Sequence, residues 1–174
     1  MKKYIKWQDK YNKAITEKKN LIGDAIMRDT YYKIYPNAIT EEECRFPEFQ
    51  ADIVEFYKWE NDFRIIGWEI KSDRDSLDRL SKQLSGYLKY FNYVIVLATL
   101  RHKKELLKIL TKPEYERVGV KFYFMTDQGN TYINFRYAKF SSLKDLGIST
   151  DFISKHNKLY RWKYWLNEVY GGDR

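Results

Sequence analysis

The chain has 174 residues, 44% of them hydrophobic and 32% charged, with a net charge of +8. That fits one domain with a real core and excludes a disordered chain, and the basic balance favours a polyanionic partner. Cys44 is the single cysteine and His102 and His156 are the only histidines, which excludes an internal disulfide framework, a cysteine-based zinc site and a histidine-rich metal centre.

The start, MKKYIKWQDKYNK, is basic but has no apolar core, so it does not read as a signal peptide. Residues 3–18 read as a polar helix. Residues 20–35, NLIGDAIMRDTYYKIY, read as a second helix, with Ile22, Ala25, Ile26 and the tyrosines near 32 on one side and Pro36 and Asn37 as the stop. Ala38 to Phe46 forms a short strand. The stretch ADIVEFYKWENDFRIIGWEIK then reads as a hairpin, with arms 51–58 and 63–71 and a turn around Glu60, Asn61 and Asp62.

In SDRDSLDRLSKQLSGYLKYF, Leu77, Leu80, Leu84, Leu88 and Phe91 recur at helical spacing. Ser72 and Asp75 have the form of a capping box, and the acids at 73, 75 and 78 suit a helix N-terminus. YVIVLATL (93–100) is the longest apolar run. It is too short to span a membrane and reads as a buried central strand. RHKKELLKIL reads as a short basic helix, GVKFYFMT as a strand, DQGN as a turn and TYINFRYAKF as its partner arm. DFISKHNKLYRWKYWLNEVY reads as a helix at about 150–170. The expected fold is a single α/β domain over 1–174, a mixed β-sheet flanked by helices, in a reducing, cytoplasmic setting.

Chemistry concentrates in GWEIKSDRD. Residues two apart on a strand share a face, so Glu69 and Lys71 point the same way. Asp52, on the preceding arm, lies beside them if the hairpin register allows. Two carboxylates converging in a half-buried place repel each other, and a hard divalent cation, Mg²⁺ or Mn²⁺, resolves the conflict. Lys71 then suits orienting a water or meeting charge on a phosphate under attack. Gln83 and Tyr87, four apart on the following helix, share one of its faces. A bare E-x-K is a permissive pattern; this context narrows it.

The segment ADIVEFY…GWEIKSDRDSLDRLSKQLSGYLKYFNYVIVL resembles the PD-(D/E)XK, or restriction-endonuclease-like, nuclease superfamily. It is most similar to a bacterial and phage branch whose core reads EIKSDxDSLxRLxxQxxxY. The resemblance spans about residues 38–125, with helices before it at 3–35 and after it at about 150–170. It implies a central mixed sheet with helices on both sides, and metal-dependent cleavage of DNA, less often RNA. Asp52 and Glu69 become the metal-binding acids, Lys71 the catalytic lysine, and Gln83 and Tyr87 the Q-x-x-x-Y pair lining the site. A further upstream acid is implied. Glu43 is preferred, with Glu42 and Asp24 as alternatives. The chain departs from the pattern in having Ala51, not proline, before Asp52.

The remaining basic groups read as follows. Arg101, Lys103, Lys104 and Lys108 form a solvated helix face or a phosphate-contacting surface. Lys158, Arg161 and Lys163 interleave with Tyr160, Trp162, Tyr164 and Trp165, an arrangement suited to core packing on one side and nucleic-acid contact on the other. His102 and His156 read as structural or exposed, and Cys44 as a small buried residue. Two function classes stand: a Mg²⁺-dependent nuclease in repair, recombination or phage–host conflict, or a non-catalytic nucleic-acid-binding or protein-interaction domain on the same fold. Many nucleases with this fold act as homodimers, but no dimer surface is legible in the chain.

Overall fold

A computed structural model describes residues 21–46, 48–59, 62–142 and 145–147. The expected helices at 3–18 and about 150–170 lie outside the described residues, as do His156, Lys158, Arg161, Lys163 and the hairpin turn residues Glu60 and Asn61.

The elements run in the order α1 (Asp24–Ile34), β1 (Ile39–Arg45), β2 (Gln50–Trp59), β3 (Asp62–Lys71), α2 (Leu80–Tyr87), β4 (Tyr93–Ala98), α3 (Lys103–Ile109), β5 (Val118–Thr126) and β6 (Gly129–Arg136). All six strands join one sheet in chain order. β1–β2, β2–β3 and β5–β6 pair antiparallel; β3–β4 and β4–β5 pair parallel. The sheet is therefore mixed. Its parallel pairs need crossovers, supplied by α2 and α3, whereas the hairpins close on short turns.

The alternation of β3 sorts the two faces. Gly67, Glu69 and Lys71 face α2, and Ile66, Trp68 and Ile70 face the other way. On the far side Tyr31 of α1 sits edge-on to Trp68 with ring centroids 4.9 Å apart. On the near side a β-carbon at Gly67 would fall inside contact distance of both Tyr87 and Phe91. Glycine is thus required there for α2 to lie directly on the sheet. β4 is buried along Val94–Ala98, as its aliphatic sequence predicts. Among the described residues no helix is long and apolar enough to cross a membrane.

The link from β3 to α2 departs from the sequence reading. The helix starts at Leu80, and Arg79 at its N-cap makes no side-chain cap hydrogen bond. Ser72 and Asp75 do pair, but inside a separate turn: the Asp75 carboxylate accepts from the Ser72 N–H at 2.7 Å and from its hydroxyl at 2.6 Å. Asp73 caps no helix either. Its buried carboxylate accepts the Ile22 N–H at 2.8 Å, and its own N–H donates to the Ile22 carbonyl at 2.9 Å. The short polar side chains satisfy backbone groups locally and hold 72–79 in turns. Leu77 and Phe91 are buried just outside the helix ends. Cys44 is buried, and His102 is structural: its Nε2 contacts the Ser72 carbonyl oxygen at 2.7 Å.

Candidate active site

The β2–β3 register pairs Ile53 with Trp68, so the next step along the ladder sets Asp52 opposite Glu69. Both then project from the α2 face, with Lys71 one pleat further along. Asp52 Oδ2 accepts the Ile70 N–H at 2.7 Å, which fixes the carboxylate against the end of β3. Glu69 is held by three side chains. Its Oε1 lies 2.8 Å from Lys71 Nζ and accepts from Gln83 Nε2 at 2.7 Å, and its Oε2 accepts the Tyr87 hydroxyl. Lys71 Nζ also donates to Gln83 Oε1 at 3.0 Å. The Tyr87 oxygen in turn accepts the Asp52 N–H at 3.3 Å.

Five of the six expected catalytic side chains, Asp52, Glu69, Lys71, Gln83 and Tyr87, therefore meet at one place. Helix α2 brings Gln83 and Tyr87 in together because they lie on one stripe, and Gly67 lets that stripe approach. Glu69 and Lys71 are buried, while Asp52 keeps partial access to solvent. Burial, and next the Glu69 charge, push the Asp52 carboxyl up to about 7; the Ile70 N–H and Arg28 act against this. Burial and the charges of Glu69 and Asp52 raise Tyr87 well above an ordinary phenol, so it stays a proton donor.

The sixth, Glu43, lies at the rim of the cleft that opens over Asp52 and is joined to Asp52 through Arg28. The β1–β2 pairs Glu42–Ile53 and Cys44–Ala51 bracket a position that would face Asp52. Glu43 occupies it with φ of 50°, the left-handed region, which costs a non-glycine residue about 1–2 kcal/mol. Its carboxylate is 2.5 Å from Arg28 Nη2 and also accepts from Gln50. Arg28 is the residue that sequence reasoning missed. From α1 its guanidinium contacts Asp24 at 2.6 Å, Glu42 at 3.4 Å and Asp52 Oδ1 at 3.3 Å, besides Glu43. All three candidate upstream acids thus converge on one arginine beside Asp52. Among the described residues no three His, Cys, Asp or Glu side chains close into a cage for an ion. The donor set here is the pair Asp52 and Glu69, which suits Mg²⁺, an ion commonly held by one or two carboxylates plus water and phosphate oxygens.

A cleft of about 410 Å³ opens over Asp52, lined by Glu43, Phe49, Asp52, Arg79, Lys82 and Gln83. Arg79, at the N-cap of α2, and Lys82, within it, were not singled out in the sequence. Of the basic residues expected to contact nucleic acid, Arg101 is tied to the Asp73 carbonyl and Lys103 lies 5.4 Å from the Phe135 ring centroid. Lys104 and Lys108 are exposed.

Residues 53–155 match the family model described as bacteriophage P4 protein cII, more than half of the chain. Comparison with curated proteins and with solved structures gives no match.

Proposed function

We propose that this chain, which belongs to the bacteriophage P4 protein cII family, is a Mg²⁺-dependent nuclease of the restriction-endonuclease-like type, hydrolysing phosphodiester bonds of DNA. The observation that carries the reading is the meeting of Asp52, Glu69 and Lys71 at the end of a β-hairpin, with Gln83 and Tyr87 holding Glu69 from the adjacent helix. Burial first, and then the Glu69 charge, raise the Asp52 carboxyl, and a divalent cation would offset both.

Asp52 and Glu69 are the residues that would hold the ion. When bound, it would supply a more acidic water and a Lewis acid for the phosphate. Gln83 and Tyr87 fix the Glu69 carboxylate so that it need not reorganise during the reaction. In hydrolysis the water oxygen bonds to phosphorus while the bond from phosphorus to the leaving sugar oxygen breaks. The Lys71 ammonium, already beside Glu69, meets the charge that builds on the phosphoryl group. Arg79 and Lys82, at the wall of the cleft, hold flanking phosphates by sequence-independent contacts. Arg28 balances the acids at the edge of the site.

The test is cleavage of plasmid, linear, branched and single-stranded DNA, and of RNA, with Mg²⁺ or Mn²⁺. The wild-type chain is compared with Asp52→Asn, Glu69→Gln and Lys71→Met. Cleavage is expected only with metal and only for the wild type. Binding that persists in EDTA, with no cleavage of any substrate, refutes the nuclease and leaves a non-catalytic nucleic-acid-binding domain.

A further inference from the structure

The sheet carries a second cavity on the face opposite Asp52 and Glu69. At about 460 Å³ it is larger than the cleft of the proposed active site, at about 410 Å³, and it falls within the range of small-ligand pockets. Its position follows from the same alternation. Glu55 on β2, Trp68 on β3 and Lys121 on β5 all point away from α2, and the β5–β6 register sets Asn134 beside Lys121.

The chemistry of the walls is specific. Three cations, Arg64, Lys121 and Arg136, line the cavity against a single carboxylate, Glu55. Lys121 Nζ donates to the Tyr35 hydroxyl at 3.0 Å, and Arg136 donates to the carbonyls of Leu110 and Tyr115. Those hydrogen-bond partners are neutral, and among the described residues the one carboxylate acting on Lys121 is Glu55. Aromatic rings supply much of the remaining surface, alongside Ile66, Ile95, Asn134 and Ala138. Lys121 Nζ stands 5.7 Å and 5.8 Å from the ring centroids of Tyr35 and Trp68, and the Arg64 guanidinium lies 4.2 Å from the Phe140 centroid. Glu55 is buried and held through Oε2 by the Tyr31 hydroxyl at 2.7 Å and Trp68 Nε1 at 2.8 Å. The other oxygen of this fixed acceptor takes no hydrogen bond from the described residues.

We propose that this cavity binds a nucleoside phosphate. The phosphate is held by Lys121 with Arg64 and Arg136, and the base lies against Tyr35, where Glu55 accepts from its ring N–H or amino group. The combination of clustered cations, flat aromatic walls and one buried acceptor matches the three parts of such a ligand. The ligand is either a free nucleotide or the phosphorylated end of a strand. The proposal is independent of the nuclease reading, since no residue is shared between the two sites.

The test is calorimetric titration of the full chain, in EDTA, with AMP, GMP, CMP and UMP. Inorganic phosphate and a 5′-phosphorylated oligonucleotide serve as the other arms. Working without metal separates this site from the proposed active site, and Asp52→Asn is expected to bind as the wild type does. Lys121→Gln should weaken binding by about tenfold or more, as expected for losing a charge-assisted contact, and Lys121→Arg should restore most of it. Circular dichroism checks that both variants fold. Binding of the oligonucleotide but not the free nucleotides supports the same chemistry and assigns the source to a strand end. The proposal is overturned if no nucleotide or oligonucleotide binds at millimolar concentration, or if Lys121→Gln binds as wild type. It is also overturned if inorganic phosphate binds as tightly as the nucleotides, because the aromatic walls then take no part.

Discussion

Asp52→Asn should make the protein more stable and inactive at once. In the folded chain the Asp52 carboxyl is raised from 3.8 to about 7, first by burial and then by Glu69. A carboxyl raised on folding is favoured in its neutral form. The native state therefore loses stability as pH climbs from about 4 to about 7, while the unfolded chain ionises freely. Integrating between those values puts the penalty at about 1 kcal/mol at pH 4.5 and about 4 kcal/mol at pH 8. Asparagine is close in shape, can accept the Ile70 N–H at the same place, and carries no charge to repel Glu69. Urea unfolding of both proteins in EDTA should show a gap that opens from about 1 kcal/mol at pH 4.5 to several kcal/mol at pH 8, with the variant the more stable. Added Mg²⁺ should narrow the gap, because it stabilises only the chain that keeps both carboxylates. A variant no more stable than wild type at pH 8, or a gap that does not change with pH, would refute the account of two carboxylates in conflict.

Other expectations follow from the same geometry. Glu69→Gln and Lys71→Met should each lower the cleavage rate by about 100-fold or more, read from single-turnover assays, because each removes a fixed charge at the reacting centre. Gly67→Ala should cost about 1–3 kcal/mol in urea unfolding, since its methyl group meets the Tyr87 and Phe91 rings. It should also slow cleavage by shifting Tyr87 off Glu69. Asp73→Ala should destabilise the fold by about 1–3 kcal/mol by orphaning the Ile22 N–H, with no change in the dependence of cleavage on metal concentration. Replacing Arg79 and Lys82 with glutamine should flatten the salt dependence of DNA binding by about 0.9 per lost phosphate contact, measured by titration at several salt concentrations.

How far the sequence led can be judged residue by residue. The hairpin, the buried fourth strand and the final hairpin are local patterns, and they were legible because a strand's period is two and its turns have their own chemistry. Glu69 and Lys71 were legible for the same reason, as were Gln83 and Tyr87 through the spacing of a helix. Register was not. That Asp52 stands opposite Glu69 depends on a two-residue connection between arms, where a slip of one residue would have put it on the other face. The capping box failed because Asp75 satisfied Ser72 within a turn and left the helix to begin at Leu80.

Arg28 marks where local reasoning stops. Nothing in NLIGDAIMRDTYYKIY sets this arginine apart, since its role arises only when α1 is docked beside the ends of β1 and β2. There it faces Asp24, Glu42, Glu43 and Asp52 at once. The same holds for the cavity on the opposite face. Lys121 interrupts an otherwise apolar strand and Glu55 shares β2 with Asp52 but points to the other face; the two look unrelated until the sheet puts them on one side with Trp68 between them. A buried charge costs free energy unless something compensates it. Glu55 and Lys121 offset each other in part, and the two arginines beside them leave three cations to one carboxylate among the residues that line the cavity. On one face of this sheet the proposed ligand is a cation between Asp52 and Glu69; on the other it is an anion beside Lys121. The two are separable, because removing Lys121 should leave cleavage intact and removing Asp52 should leave nucleotide binding intact.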